Sequence, residues 1–218
     1  MSQLTFAVAL ALEISAAELT VKVVPQEPPP EIAEPIRKLV QGKAIQVLEG
    51  SEVRFVFWLV QEAALSWKPD SSGQALDTLK QAALLGVVSV PKARRDYRDD
   101  EIVPGAYTMR FGLQPQDGNH LGTAEHPYFA VLIPAKLDPT PDGIKDYKPM
   151  VKASAKETPN EHPRVISLVP AVDAEGELPK INEPAPEHKS VRVKIPAKAG
   201  GEKTDLLFEI VVEGKGHK

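Results

Sequence analysis

EHPYFAVLIPA (Glu125–Ala135), EHPRVISLVPA (Glu161–Ala171) and EHKSVRVKIPA (Glu187–Ala197) decide how this chain is read. Each opens on Glu-His, runs through seven residues and closes on Pro-Ala. The enclosed PYFAVLI, PRVISLV and KSVRVKI are rich in β-branched or aromatic side chains, which suit a pleated, half-buried surface. Proline brings no N–H to a ladder, so Pro134, Pro170 and Pro196 are expected as strand stops. Three strands of equal length follow, each with a histidine at its start.

Outward from these, AYTMRFGL (Ala106–Leu113) alternates Tyr107, Met109, Phe111 and Leu113 against Thr108 and Arg110, with Pro104-Gly105 as its turn. Leu19–Val24, Val87–Val90 and Thr204–Val212 read as strands, and Ala44–Leu48 with Val53–Val60 as a hairpin about Glu49-Gly50-Ser51. Two short helices are expected. Residues 31–41 put Ile32, Ile36, Leu39 and Val40 on one face before Gly42, and 75–85 space Leu76, Leu79, Ala83 and Leu84 helically. About nine to ten strands without βαβ alternation predict a mainly β fold, an antiparallel β-sandwich of immunoglobulin-like or related type. Twenty-one prolines against fourteen glycines agree with many short connections. The Glu-His starts lie 36 and 26 residues apart (161 − 125 and 187 − 161), so no solenoid or propeller period exists.

The 218 residues allow one substantial core, and 42% hydrophobic content excludes a wholly disordered chain. A net charge of −4 and the lack of a basic stripe interleaved with aromatics give no footprint for nucleic acid. Cysteine is absent, which removes disulfides, thiolate catalysis and Cys-based metal sites. The apolar run Leu4–Leu12, followed by Ser15 and Ala17 at −3 and −1, resembles a secretory signal. The basic start is missing and Glu13 intrudes, so an ordinary strand or buried helix is the competing reading. The run is too short to span a bilayer. Residues 1–17 are thus expected as an export segment and 18–218 as a single sandwich domain, periplasmic or extracellular.

The block PGAYTMRFGLQPQDGNH (Pro104–His120), with Tyr97–Asp100 before it and Gly122-Thr123 after, resembles a group of exported bacterial proteins of unknown function. That resemblance implies export and imports no activity. Its Pro-Gly-x-Tyr-Thr start is also similar to a strand opening in immunoglobulin-like and transthyretin-like sandwich modules, which implies fold alone.

Three imidazoles in one local context, His126, His162 and His188, could hold copper or zinc with an open fourth position. Glu125, Glu161 and Glu187 would then orient them or ligate directly. The condition is that all three strand starts reach one end of the fold; otherwise Glu-His-Pro is simply a polar turn that recurs. His120, in Asp117-Gly118-Asn119-His120, could join them, although Asp-Gly-Asn is also what a tight turn requires. The run Arg94–Glu101 pairs carboxylates with basic residues. Acid–base work by a hydrolase or lyase would need those carboxylates buried, and a solvated hairpin connection is the plainer expectation. Trp58 reads as core, and Trp67 beside a loop as an exposed aromatic. No nucleophile elbow, phosphate loop, dinucleotide fingerprint or His-Glu-x-x-His occurs. The reading is a non-catalytic binding or structural module without cofactor, its partner a protein or small molecule.

Overall fold

Residues 18–96, 99–115, 118, 124–159, 161–173 and 175–214 are described by a computed structural model. Its first half contains β1 (Leu19–Pro25), the single-turn α1 (Glu34–Arg37), β2 (Lys43–Glu49), β3 (Glu52–Leu59) and β4 (Ala63–Leu65). Then come β5 (Leu84–Val90), the two-residue strands β6 (Arg94–Arg95) and β7 (Glu101–Ile102), and β8 (Gly105–Leu113). The second half holds β9 (Tyr128–Pro134), α2 (Tyr147–Ala155), β10 (Arg164–Pro170) and β11 (Lys180–Asn182). It ends with the long hairpin β12 (Lys189–Ala199) and β13 (Glu202–Glu213).

Eleven strands belong to one hydrogen-bonded sheet in the order β1-β2-β3-β5-β8-β9-β10-β13-β12-β11, with β4 joined to β12 off that path. The mainly β reading therefore holds. The sheet curls into a half-barrel, and the stacking of two separate sheets is not confirmed. Curling lets one sheet bury its own inner face, where Phe57, Val88, Met109, Phe111, Leu132, Leu168, Val193 and Phe208 form the main core. The outer face is covered in patches. Trp58 donates its indole N–H to Gln26 O at 2.7 Å beneath the 26–40 segment. Met150 of α2 packs with Val131, Ile133 and Val165 in a second cluster. Both faces of the central strands are thus dry, which explains why they lack a clean apolar–polar alternation.

The three repeat strands form where expected, and Pro134 and Pro170 end theirs. Pro196 does not stop β12. It pairs with Asp205 of β13, and on its other side it lies past the last β11 pairing at Arg192 and before the β4 pairing at Ala197, where β12 is locally an edge that tolerates proline. The expected 31–41 helix shrinks to one turn, because Val40 leaves it to bridge Val60. Ile32, Ile36 and Val40 are buried as read, whereas Leu39 is exposed. The expected 75–85 helix is a 3-10 stretch, Ser72–Thr78, and β5 begins already at Leu84. Ala82, in the left-handed region at φ 64, breaks the two apart. Gly86 follows at a point where a Cβ would lie 2.3 Å from the carbonyl oxygen of Trp58, so β3 and β5 approach only over glycine. Conversely, α2 forms in the connection between β9 and β10, where no helix is expected; Met150 and Ser154, one turn apart, are its buried pair.

The outward residues of β8 are buried as well. Arg110 reaches Asp138 with Nε and Nη2 at 2.7 and 2.8 Å, and Thr108 donates to the same carboxylate at 2.6 Å. The remaining guanidinium donors meet the carbonyls of Ala82, Ile144, Thr140 and Pro141 at 2.9–3.2 Å. Tyr107 donates its hydroxyl to Val103 O at 2.7 Å. The Pro104–Arg110 part of the block is therefore architectural: it ties the 138–146 segment and the turn before β8 to the sheet.

Candidate functional site

One end of the half-barrel is held open by two β-bulges. Between β2 and β3 the register passes from Val47↔Phe55 to Leu48↔Val53, leaving Arg54 as the extra residue. Between β12 and β13 it passes from Ser190↔Val211 to Lys189↔Glu213, leaving Val212. A bulged residue is turned away from the ladder and re-aimed. Both Arg54 and Val212 line the same groove. The β10–β13 ladder also fails there. It holds for Leu168↔Ile210, Val169↔Glu209 and Pro170↔Phe208, and then the strands part.

The groove encloses about 690 Å³, within the usual size of ligand sites. Phe55, Ile102, Val165, Ile166 and Val212 give it apolar walls, and the β6–β7 hairpin brings Arg94, Arg95, Asp96, Asp99 and Glu101 to it. Arg54 Nη1 lies 2.5 Å from Glu213 and 3.7 Å from Glu49. Arg94 pairs with Glu52, which Lys92 also meets at 2.9 Å. The hydrogen bonds from Lys92 and Arg94 hold the Glu52 carboxyl below its ordinary value. Arg95 donates to the backbone of Asp99 at 2.7 Å. The Nε donors of Arg54 and Arg94 are buried with no partner among the described residues. Asp99, Glu101 and Glu187, at the rim, enter no ion pair among the described residues.

Asp96 overturns the expectation that the whole Arg94–Glu101 run is solvated. Its carboxylate is buried and accepts the N–H of Asp100 at 2.9 Å and of Val165 at 3.4 Å. The burial that acid–base chemistry would need is present, but these main-chain donors give the oxygens a bracing role. Tyr97 and Arg98 lie outside the described residues.

Strand polarity separates the histidines. The β9–β10 register, Tyr128↔Leu168 to Leu132↔Arg164, puts His126 level with Pro170, eight residues from His162. At the usual strand rise that is roughly 25 Å. His162 and His188 share the other end, two strands apart in the sheet order. Only His188 reaches the groove. Its ring covers Gly214 so closely that a Cβ there would lie 2.3 Å from Cδ2, and Nδ1 lies 2.9 Å from Pro186 O. His162 is exposed, and its carbonyl accepts from Thr158 Oγ1 at 2.9 Å. His120 lies outside the described residues. Among the described residues no group of three or more His, Cys, Asp or Glu could hold a metal ion. Trp58 is core as read, and Trp67 is exposed, away from the groove lining.

Sequence reasoning missed Arg54, Phe55, Val165–Ser167 and Val211–Gly214 as a site. VRFVFWLV carries no signal of the bulge, because its lack of alternation comes from burial on both faces. No protein-family model, curated protein or solved structure matches the chain.

Proposed function

We propose that the protein is an exported, non-catalytic binding module that takes its ligand in the groove between β3, β10, β13 and the β6–β7 hairpin. The observation that carries this reading is the coincidence of two bulges and a broken ladder at one apolar-walled groove. Bulges concentrate beside functional sites because they aim side chains that a regular ladder cannot. Export is supported by the Leu4–Leu12 run with its small-residue ending, and by the resemblance carried in Pro104–His120. No helix among the described residues is long and apolar enough to cross a membrane.

A fragment library screened by two-dimensional 1H–15N NMR tests the reading. Bound fragments should shift the amides of Arg54, Phe55, Val165–Ser167 and Val211–Gly214 together. Fragments that cluster elsewhere, for instance around the exposed Trp67, or a library without a single binder, would dispose of the groove as the ligand site.

A further inference from the structure

The groove is the place of a missing stretch of β-ladder. Continued in register beyond Leu168↔Ile210, β10 and β13 would match Ser167 with Val211, Ile166 with Val212 and Val165 with Glu213. All six residues line the groove instead. Each strand is still held extended by its other neighbour. β10 pairs with β9 from Arg164 to Leu168, and β13 pairs with β12 as far as Glu213. Two extended edges therefore face open space. Val165 marks the direction: its N–H points into the groove, where a side chain, Asp96, meets it at 3.4 Å. That is longer than the usual N–H···O separation of about 2.9–3.0 Å. A carboxylate stands there at long range for the carbonyl of an absent strand.

We propose that the groove accepts an extended, basic segment of a partner polypeptide, which pairs with the β10 edge. The inference rests on the groove being the ligand site and names what it takes. Main-chain pairing at an exposed sheet edge gives such a complex its affinity, and alternate side chains give it specificity. One set of side chains would meet Phe55, Ile102, Ile166 and Val212, so it is apolar. The other set would meet the rim. There Arg54 is already engaged by Glu213 and Arg94 by Glu52; among the described residues Asp99, Glu101 and Glu187 enter no ion pair, and Arg95 sets one guanidinium against these three carboxylates. The uncompensated charge is negative, so the complementary side chains are lysine or arginine. An acidic peptide or a nucleic acid would meet like charge.

Fluorescence anisotropy with three fluorescein-labelled heptapeptides tests this. The first alternates lysine with valine, the second alternates glutamate with valine, and the third is the first with a central proline. The lysine peptide should bind saturably and shift the amides of Val165–Ser167. The glutamate and proline peptides should bind at least roughly tenfold more weakly, from rim charge and the lost ladder donor respectively. In the E101Q/E187Q variant, both positions being exposed, the lysine peptide should weaken severalfold and its advantage over the glutamate peptide should narrow. Equal binding of the lysine and glutamate peptides, indifference to proline or to E101Q/E187Q, or shifts confined to another surface would each overturn the inference. If fragments shift the groove amides while no peptide binds, the groove stands and its peptide occupant falls. If neither binds there, both fall.

Discussion

Arg110 and Arg54 belong to the same sheet and each faces a carboxylate, yet they do opposite things. Arg110 and Asp138 are 1% and 0% exposed, and the 138–146 segment closes over them with a carbonyl for each remaining donor. Arg54 and Glu213 are 15% and 45% exposed, with Glu49 also 3.7 Å from the guanidinium, and both line the groove. The guanidinium–carboxylate chemistry is the same. Cover decides: a pair sealed by its own chain braces the fold, whereas one left at a groove mouth is available to something else.

The sharpest way to break this contrast is to remove both arginines in turn. Arg110→Met strands a buried Asp138 and should cost about 3–5 kcal/mol in urea unfolding. Arg54→Met loses a partly solvated pair and should cost under about 1 kcal/mol. Equal losses would show that both pairs are structural. Asp96→Ala should fall between, at about 1–3 kcal/mol, because it strips the acceptor from two main-chain N–H groups. Hydrogen exchange at Val165 should quicken in that variant; an unchanged rate would mean that Asp96 does not guard the β10 edge.

Two titrations sharpen the comparison further. Lys92, then Arg94, hold the Glu52 carboxyl below its ordinary 4.5. A lowered folded value means that the stabilisation is present above about 4.5 and is lost as pH falls through the lower folded value. The thermal midpoint should therefore drop below that pH, and Glu52→Gln should flatten part of the drop. The smallest effect belongs to Tyr128, away from the groove. Burial and its 2.5 Å hydrogen bond to Asp77 push the phenol up to about 12. The unfolded phenol ionises near 10.0, so this stabilisation is complete below 10.0 and is lost as pH rises through about 12. Ultraviolet titration of Tyr128→Phe should lack one late phenolate.

Strands were legible because their cues are local. Tyr107, Met109 and Phe111 alternate, and Pro134 and Pro170 end what precedes them, whatever the sheet does elsewhere. Helices were less so. Leu76 and Leu79 are both buried, but Leu76 lies in a 3-10 turn and Leu79 in the extended residue after it, since apolar spacing reports burial and not the hydrogen-bond ladder. Sheet closure and the groove were not legible at all. Bulges at Arg54 and Val212 are properties of register between strands, and no single segment encodes a register. The histidine repeat misled for the same reason: identical neighbours in sequence do not fix strand direction, and β9 runs opposite to β10.

The parallel pairing of Ala63–Leu65 with Ala197–Ala199 carries a consequence for how the molecule is made. The partners are 134 residues apart (197 − 63). At a synthesis rate of roughly 5–20 residues per second, the first waits about 7 to 27 seconds for the second to emerge. Until then β10 has no neighbour on the side that the terminal hairpin will occupy. Such non-local closure makes for slow folding and a nascent chain prone to stick to its copies. The interval before that hairpin arrives is when chaperone protection would matter most.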